Sequence, residues 1–209
     1  MNMELEHLLP AEIEKRSFEI ITEELAGRKL NPEHELIIKR AIHTTADFDY
    51  ADNLCFSEQA VARALQALRQ GADIVTDTQM AKAGINKKIL AKYGGTVHCF
   101  IADKDVALEA KERGMTRSAV SMEKAARLNK KLIFAIGNAP TALIKLYEML
   151  REGTVKPELI IGVPVGFVNV VQSKELILQT QIPYIVARGR KGGSNVAAAI
   201  CNALLYQME

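Results

Sequence analysis

The 209-residue sequence lacks the marks of several large protein classes. Its three cysteines, Cys55, Cys99 and Cys201, are widely spaced and form no CxxC pair. That pattern predicts buried free thiols in a reducing cytosol, and neither a disulfide framework nor a zinc site. No apolar run reaches the roughly 20 residues of a membrane-spanning helix, so no membrane span is expected. The polar, acidic start of the chain predicts that there is no secretory signal.

Charge and histidine spacing argue against two further classes. The net charge is +2, from 27 basic and 25 acidic residues, and this balance gives no argument for a nucleic-acid partner. His7, His34 and His98 lie far apart, and neither an HxH nor an HExxH pair occurs, so we expect no metal site. With 48% hydrophobic and 25% charged residues, the composition is typical of an ordinary globular protein.

Helical patterns occupy the first third of the chain. Pro10 stands where a first helical turn tolerates proline, and the apolar stripe that follows ends near Gly27. Asn31 precedes a second helix as its predicted cap. Ser57 is the predicted cap of a third helix, which Gly71 closes. The sequence therefore predicts a helical N-terminal segment.

The remainder of the chain alternates between short β-branched runs and helical segments. These runs are rich in Val, Ile and Thr, are bounded by turn residues, and occupy residues 73–78, 96–103, 131–137, 158–164 and 183–188. Such alternation indicates βα units and a mainly parallel sheet covered on both faces. We predict a three-layer α/β/α fold with about five strands. Since there is no compositional break and no repeat, a single domain is expected over residues 1–209.

This architecture indicates where a ligand would bind. In open α/β sheets, ligands bind outside the carboxyl ends of the strands. The segments at those ends read TDTQM, IADKD, IGNAPTA, GVPVGFVN and ARGRKGGSN. They are small, polar and rich in glycine, so this edge of the sheet is the predicted ligand site.

The segment RGRKGGSNVAAAI, Arg188–Ile200, indicates an anion site. Cations and glycines stand directly before an alanine-rich helix, with Ser194 and Asn195 as its predicted cap. Free N–H groups, the helix dipole and cationic side chains together favour carboxylates or phosphates. The segment does not match GxxxxGK[ST], and no GxGxxG follows the first strand, so a nucleotide is only weakly supported. The alternative is a solvent-exposed turn in which glycine serves only the backbone.

Other segments admit two interpretations each. Asn138 precedes a helix with proline in its first turn, so it either faces the pocket or belongs only to a good helix start. Phe167 is either a flat apolar wall for a ligand or a core residue. Arg117 stands near a helix start, where an isolated arginine is usually exposed to solvent. Ser17 falls inside the first helix, where serine is normally neutral.

His43 interrupts the end of the second helix, in AIHTTAD. It is either a helix-end residue that complements the dipole or a titratable group held in a pocket. The sequence contains no Ser-His-Asp order and no paired-carboxylate signature. These features predict mild chemistry, in which cations and helix ends hold a ligand with several carboxylates and one histidine moves a proton.

Several segments, read together, suggest a family. RSFEII, AIHTTAD, TDTQM, TRSA, GNAPTAL, GVPVGFV and RGRKGGSNVAAAI occur in this order from about residue 16 to about residue 205. In combination they resemble the precorrin-8X methylmutase family, which includes the cobalt-precorrin-8 methylmutases of cobalamin (vitamin B12) biosynthesis. The resemblance implies an isomerase that moves the C-11 methyl group of a tetrapyrrole to C-12 of ring C. It further implies a cytoplasmic homodimer that needs no S-adenosylmethionine, metal or other cofactor.

The resemblance also implies roles for particular residues. His43 lies in the motif that carries the family's catalytic histidine, so it is the expected proton donor and acceptor. The expected substrate-binding residues are Ser17, Thr44, Arg117, Asn138, Lys191, Gly192, Gly193 and Ser194. Two alternatives remain, a non-catalytic carrier of corrinoid acids and a small α/β enzyme that binds a nucleotide or sugar phosphate through the glycine-rich segment.

Overall fold

A computed structural model describes residues 7–25 and 27–209. Over these residues the chain forms one sheet of six strands, in the order β1-β6-β5-β4-β2-β3. Every neighbouring pair is parallel except β1 and β6, which are antiparallel. The strands are Leu54–Phe56 (β1), Asp73–Thr76 (β2), Val97–His98 (β3), Leu132–Ile136 (β4), Leu159–Gly162 (β5) and Tyr184–Ala187 (β6).

Eleven helices surround this sheet in the described part of the chain. They are Pro10–Glu24 (α1), Pro32–Thr45 (α2), Tyr50–Asn53 (α3), Ala60–Arg69 (α4), Gln79–Gly84 (α5), Lys87–Lys92 (α6), Lys104–Glu112 (α7), Arg117–Ala126 (α8), Pro140–Glu152 (α9), Val170–Leu178 (α10) and Ser194–Tyr206 (α11). None of the described helices is long and apolar enough to cross a membrane.

The predicted α/β class, with its mainly parallel sheet and helical N-terminal segment, is confirmed. β2, β4 and β5 are buried along their whole length, because helices cover both faces of the sheet. One face packs against α2, α4, α5 and α11, and the other against α8, α9 and α10. The prediction of about five strands omitted β1. Its three residues are too few for a strand pattern to be visible in the sequence.

Helix starts follow the sequence at most of the predicted positions. α1 begins at Pro10, and the Asn31 side chain accepts the N–H of Glu33 at 3.0 Å, as expected of a cap. The predicted cap at Ser57 is wrong, because α4 begins only at Ala60. The Ser57 hydroxyl instead accepts the N–H of Tyr184 at 2.9 Å and so fixes the start of β6.

The strand order defines the crevice at the ligand edge. From β2 the chain adds β3 on one side, and then crosses back to add β4, β5 and β6 on the other. The loops that leave β2 and β4 therefore diverge, and the crevice between them is the topological switch point of the sheet. Residues 77–78 follow β2 there, and residues 137–139 follow β4.

Candidate active site at the carboxyl edge of the sheet

A buried carboxylate ties the two loops at the switch point together. Asp77 accepts the N–H groups of Gly137, Asn138 and Ala139 at 2.9, 2.8 and 2.6 Å. Burial raises the pKa of the Asp77 carboxyl above its ordinary value, and these three N–H donors act in the opposite direction. The loop that leads into α9 is thus bound to a carboxylate of the protein itself, while Asn138 lies exposed at the edge.

The cationic segment, Arg188–Asn195, is bound from the interior of the protein by a lysine that the sequence analysis did not single out. Lys174, on α10, donates to the carbonyl oxygens of Gly189 and Lys191, both at 2.8 Å. Burial lowers the pKa of Lys174 to about 8, so its ammonium form still predominates at neutral pH. Its only sequence signal is a lysine within the otherwise largely apolar helix VVQSKELIL.

Glycine allows the loops at this edge to pack backbone against backbone. Gly192 has a φ of 157°, and a Cβ atom there would stand 2.0 Å from the carbonyl oxygen of Val163. A Cβ atom on Gly137 would stand 2.7 Å from the Cα of Ser194. The segments that follow β4, β5 and β6 therefore meet at a distance that excludes side chains at these positions.

The start of α11 differs from the predicted cap. The helix begins at Ser194 itself, and the residue before it, Gly193, has no side chain to serve as a cap. The Ser194 and Thr78 hydroxyls form a hydrogen bond of 2.8 Å, while Thr78 also accepts the N–H of Ala81 at 3.1 Å. Ser194 thus connects the cationic segment to the loop after β2.

His43 lies exposed in the last turn of α2 and lines a cleft of about 280 Å³. Its ring stacks on Phe18 of α1, with the ring centroids 5.4 Å apart and the planes inclined at 29°. The other residues around this cleft come from α2, α5 and α11, and are Arg40, Thr44, Gly84, Asn195, Ala198, Ala199, Asn202 and Tyr206. The fold therefore brings the predicted residues His43 and Thr44 next to α11, which borders the cleft from Asn195 to Tyr206.

Ion pairs connect the segment after His43 to the cationic segment. The Lys191 ammonium lies 2.7 Å from a carboxylate oxygen of Asp47 and 2.5 Å from one of Asp49. The hydrogen bonds to Asp47 and Asp49 both raise the pKa of Lys191, and the bond between Lys191 and Asp47 lowers the pKa of Asp47. Lys191 was predicted to hold a ligand carboxylate, and in this structure its charge is already shared between two aspartates of the protein.

Of the predicted site residues, only His43 and Thr44 line the cleft, whereas Ser17, Arg117, Asn138 and residues 191–194 do not. The Ser17 hydroxyl donates to the carbonyl oxygen of Ile13 at 2.9 Å within α1, and Ser17 is not among the described residues that line the cleft. Arg117, the exposed first residue of α8, follows Thr116, whose hydroxyl donates to that of Thr141 at 2.9 Å. Arg117 is thus placed near the first turn of α9.

Apolar side chains stand exposed at the same edge. Phe167 is 79% exposed, so the interpretation of this residue as part of the core is wrong. The Arg190 guanidinium lies over the Phe167 ring, 5.3 Å from its centroid, and Val168 and Met80 are also largely exposed. A flat apolar surface beside cations suits a ligand with an extended ring system and peripheral acids.

The remaining sequence predictions concern thiols and metals. Cys99 and Cys201 are buried free thiols as predicted, whereas Cys55 is only half-buried. In residues 7–25 and 27–209, no group of three His, Cys, Asp or Glu side chains is arranged to hold a metal ion.

Comparison with known proteins identifies the family. Residues 12–207 match the family model of precorrin-8X methylmutase. The cobalt-precorrin-8 methylmutase of Salmonella typhimurium is 47% identical over 205 residues, which cover 95% of this chain and 96% of that protein. A precorrin-8X methylmutase structure from Thermus thermophilus superposes with a TM-score of 0.86 at 35% identity, covering 94% of this chain and 97% of that one. The resemblance of the motifs is thereby confirmed, and the chain belongs to the precorrin-8X methylmutase family.

Proposed function

We propose that this protein is an isomerase of cobalamin biosynthesis and acts in the cytoplasm as a single domain. Its substrate is precorrin-8X or cobalt-precorrin-8, and its product is hydrogenobyrinate or cobyrinate. The methyl group leaves C-11 and bonds to C-12 of ring C, and nothing is added to or lost from the molecule. The observation that carries this proposal is an exposed histidine in a cleft that adjoins a cationic segment at the carboxyl edge of the sheet.

His43 is the proposed proton donor. Protonation or hydrogen bonding of a ring C nitrogen makes the receiving carbon electron-poor, which favours a suprafacial [1,5] shift of the methyl group. The proton returns to the imidazole after the shift, because a histidine can both donate and accept a proton near neutral pH. His43 stands in the last turn of α2, where the Phe18 ring stacks on the imidazole and limits its rotation.

The carboxylates of the substrate are proposed to bind to residues at the carboxyl edge of the sheet. The segment from Gly189 to Ser194 supplies cations and backbone N–H groups near the cleft. Arg117 and Asn138 extend the polar surface toward the switch point, and Thr44 borders the imidazole. Ser17 is proposed to accept a hydrogen bond from the substrate, since its hydroxyl proton is donated to Ile13 within α1.

The protein is further proposed to act as a homodimer. A cleft of about 280 Å³ is smaller than the roughly 300–1,000 Å³ of pockets for drug-sized ligands, and a tetrapyrrole is larger than most of those ligands. Leu9, directly before α1, and Ile13 and Ile20 on α1 stand exposed, and the same helix carries the Phe18 ring that stacks on His43. A second copy packed on this face would cover them and enlarge the cleft. Sedimentation velocity should give the mass of two chains, and a stable monomer with full activity would contradict the dimer.

The reaction is expected to need no added cofactor, and this expectation tests the function. Protein dialysed exhaustively against a chelator should convert precorrin-8X or cobalt-precorrin-8 at the undialysed rate, because the migrating methyl group is already on the substrate. The product is followed by its visible spectrum. A requirement for S-adenosylmethionine or a nucleotide would overturn the methylmutase function.

The cationic segment should govern affinity for the product acids. Charge-assisted bonds to carboxylates contribute about 1.5–3 kcal/mol each, so Arg190→Ala should raise the Kd for cobyrinate about tenfold or more. Lys191→Ala should raise it less, because Asp47 and Asp49 already share that charge. Absorbance titration measures both, and Arg151→Ala, in the last turn of α9, is the matched control. Unchanged affinity in both variants would exclude this segment as the anion site.

The two alternative functions make different predictions. A corrinoid carrier would bind cobyrinate but give no turnover with cobalt-precorrin-8. A phosphate-binding enzyme would be stabilised by nucleotides in a thermal-shift assay and would not respond to corrinoid acids.

A further inference from the structure

Lys174 carries a positive charge in the interior of the protein. Its side chain is 0% exposed, and burying an ammonium group costs free energy unless the charge is paired. Among residues 7–25 and 27–209, no carboxylate forms an ion pair with it, and burial alone accounts for its lowered pKa. Its hydrogen-bond partners are the carbonyl oxygens of Gly189 and Lys191. The fold thus maintains a charge under the cationic segment at some cost in stability.

The carbonyl groups of three successive residues in this segment are bonded within the protein. Lys174 binds those of Gly189 and Lys191, and the N–H of Gly166 donates to that of Arg190 at 3.2 Å. Carbonyl oxygens carry a partial negative charge. Because these hydrogen bonds hold the oxygens toward the protein interior, they do not face a ligand bound on the solvent-exposed side of the segment. The side chains of Arg190 and Lys191 remain exposed on the surface.

We propose that Lys174 is a positioning residue for the carboxylates of the substrate. It fixes the carbonyl groups of Gly189 and Lys191 away from the ligand, and its charge attracts the acids bound on the outer side. A charge in a medium of low dielectric constant acts more strongly on a nearby anion than an exposed charge does. This inference rests on the proposed function, because it takes a macrocycle with several carboxylates as the ligand.

A purely mechanical role would not require a charge at this position. An uncharged donor such as glutamine also binds carbonyl oxygens and is less costly to bury than an ammonium. The two roles differ in their effect on ligand affinity, since only the charged form contributes to the attraction of anions. Variants that separate the hydrogen bonds from the charge therefore test the inference.

The experiment compares Lys174→Met, Lys174→Gln and a control on the same helix. Methionine removes both the donor and the charge, and glutamine restores a neutral donor. Ile177→Ala is the control, because Ile177 is also fully buried on α10 and its truncation lowers stability without touching residues 189–191. For each protein we would measure the melting temperature, the Kd for cobyrinate and hydrogenobyrinate, and kcat and KM with cobalt-precorrin-8.

Lys174→Met should raise Kd and KM about 10- to 100-fold, with kcat changed by less than about threefold. Lys174→Gln should still show about a tenfold rise in Kd, because the charge is absent. Ile177→Ala should lower the melting temperature and retain the parent Kd.

Three results would each contradict the role of Lys174. The first is parent affinity in both position-174 variants. The second is a loss of affinity in Ile177→Ala along with its loss of stability, because lowered stability alone would then be enough to weaken binding. The third is failure of both position-174 variants to fold under conditions in which Ile177→Ala folds, which would make the ammonium a purely structural group. If the unaltered protein neither binds the product acids nor turns over substrate, the proposed function itself fails.

Discussion

Replacing His43 with asparagine is expected to lower the rate of methyl migration about 100- to 10,000-fold, the usual loss when a general acid is removed. Asparagine is uncharged and of similar size, so the α2 terminus should remain intact. The imidazole is only one of the groups that line the cleft, and the substrate is expected to be anchored by its carboxylates at other positions. Affinity should therefore stay near that of the parent, and unrearranged substrate should accumulate in the bound state.

The measurement is a single-turnover rate beside an equilibrium affinity, with circular dichroism to verify the fold. His34→Asn provides a matched control, since His34 lies on the same helix but stacks on Phe56 at a centroid distance of 3.8 Å. This control should retain the parent rate. If His43→Asn instead loses affinity while the bound substrate still rearranges at the parent rate, His43 binds substrate and is not the proton donor.

Asp77→Asn is expected to produce the largest loss of stability at the site. An amide in place of the carboxylate sets an NH₂ group against backbone N–H donors that now lack an acceptor. Each unsatisfied buried donor costs about 1–3 kcal/mol, so we expect a loss of about 2–4 kcal/mol and a melting temperature lower by about 5–15 °C. Because the loop after β4 packs on the start of α11, affinity for cobyrinate should also fall, about tenfold or more.

The control variant Asp73→Ala separates the loss of stability from the loss of ligand affinity. Asp73 is the other buried aspartate of the β2 region and lies at the opposite end of the strand. There it accepts the N–H of Thr96 at 2.8 Å and pairs with His98 at 2.9 Å. Its loss should lower the melting temperature while leaving ligand affinity unchanged. If both variants lose stability and neither loses affinity, Asp77 supports the fold without shaping the site.

The sequence was sufficient to predict the sheet because buried parallel strands read as short apolar runs between helical segments. β2, β4 and β5 illustrate this, since each is buried throughout and bounded by turn residues. β1 escaped prediction because an edge strand of three residues is defined by its partner, β6, and not by its own pattern. The helix cap predicted at Ser57 was wrong for a related reason, because the Ser57 hydroxyl bonds to Tyr184, a residue far away in the sequence.

The site was predictable only in part. Glycine-rich loops at strand ends and a histidine at a helix end are local features, and the fold brings His43 and the segment after β6 to one edge. The roles of Asp77 and Lys174 depend on contacts with carbonyl and N–H groups of distant segments, which no local pattern encodes. The pairing of Lys191 with Asp47 and Asp49 likewise arises only after the chain has folded.

The reversed direction of β1 has a consequence for where the chain can carry catalytic groups. In a parallel strand, the residues at the ligand edge are those that leave the strand. Because β1 is antiparallel to β6, the residues that enter it lie at that edge, and the N–H of Arg188 donates to the carbonyl oxygen of Asn53 at 2.8 Å. The segment from His43 to Asn53, which precedes β1, therefore lies beside loops that follow the parallel strands. Had this strand run parallel, the same histidine would have been delivered to the far end of the sheet.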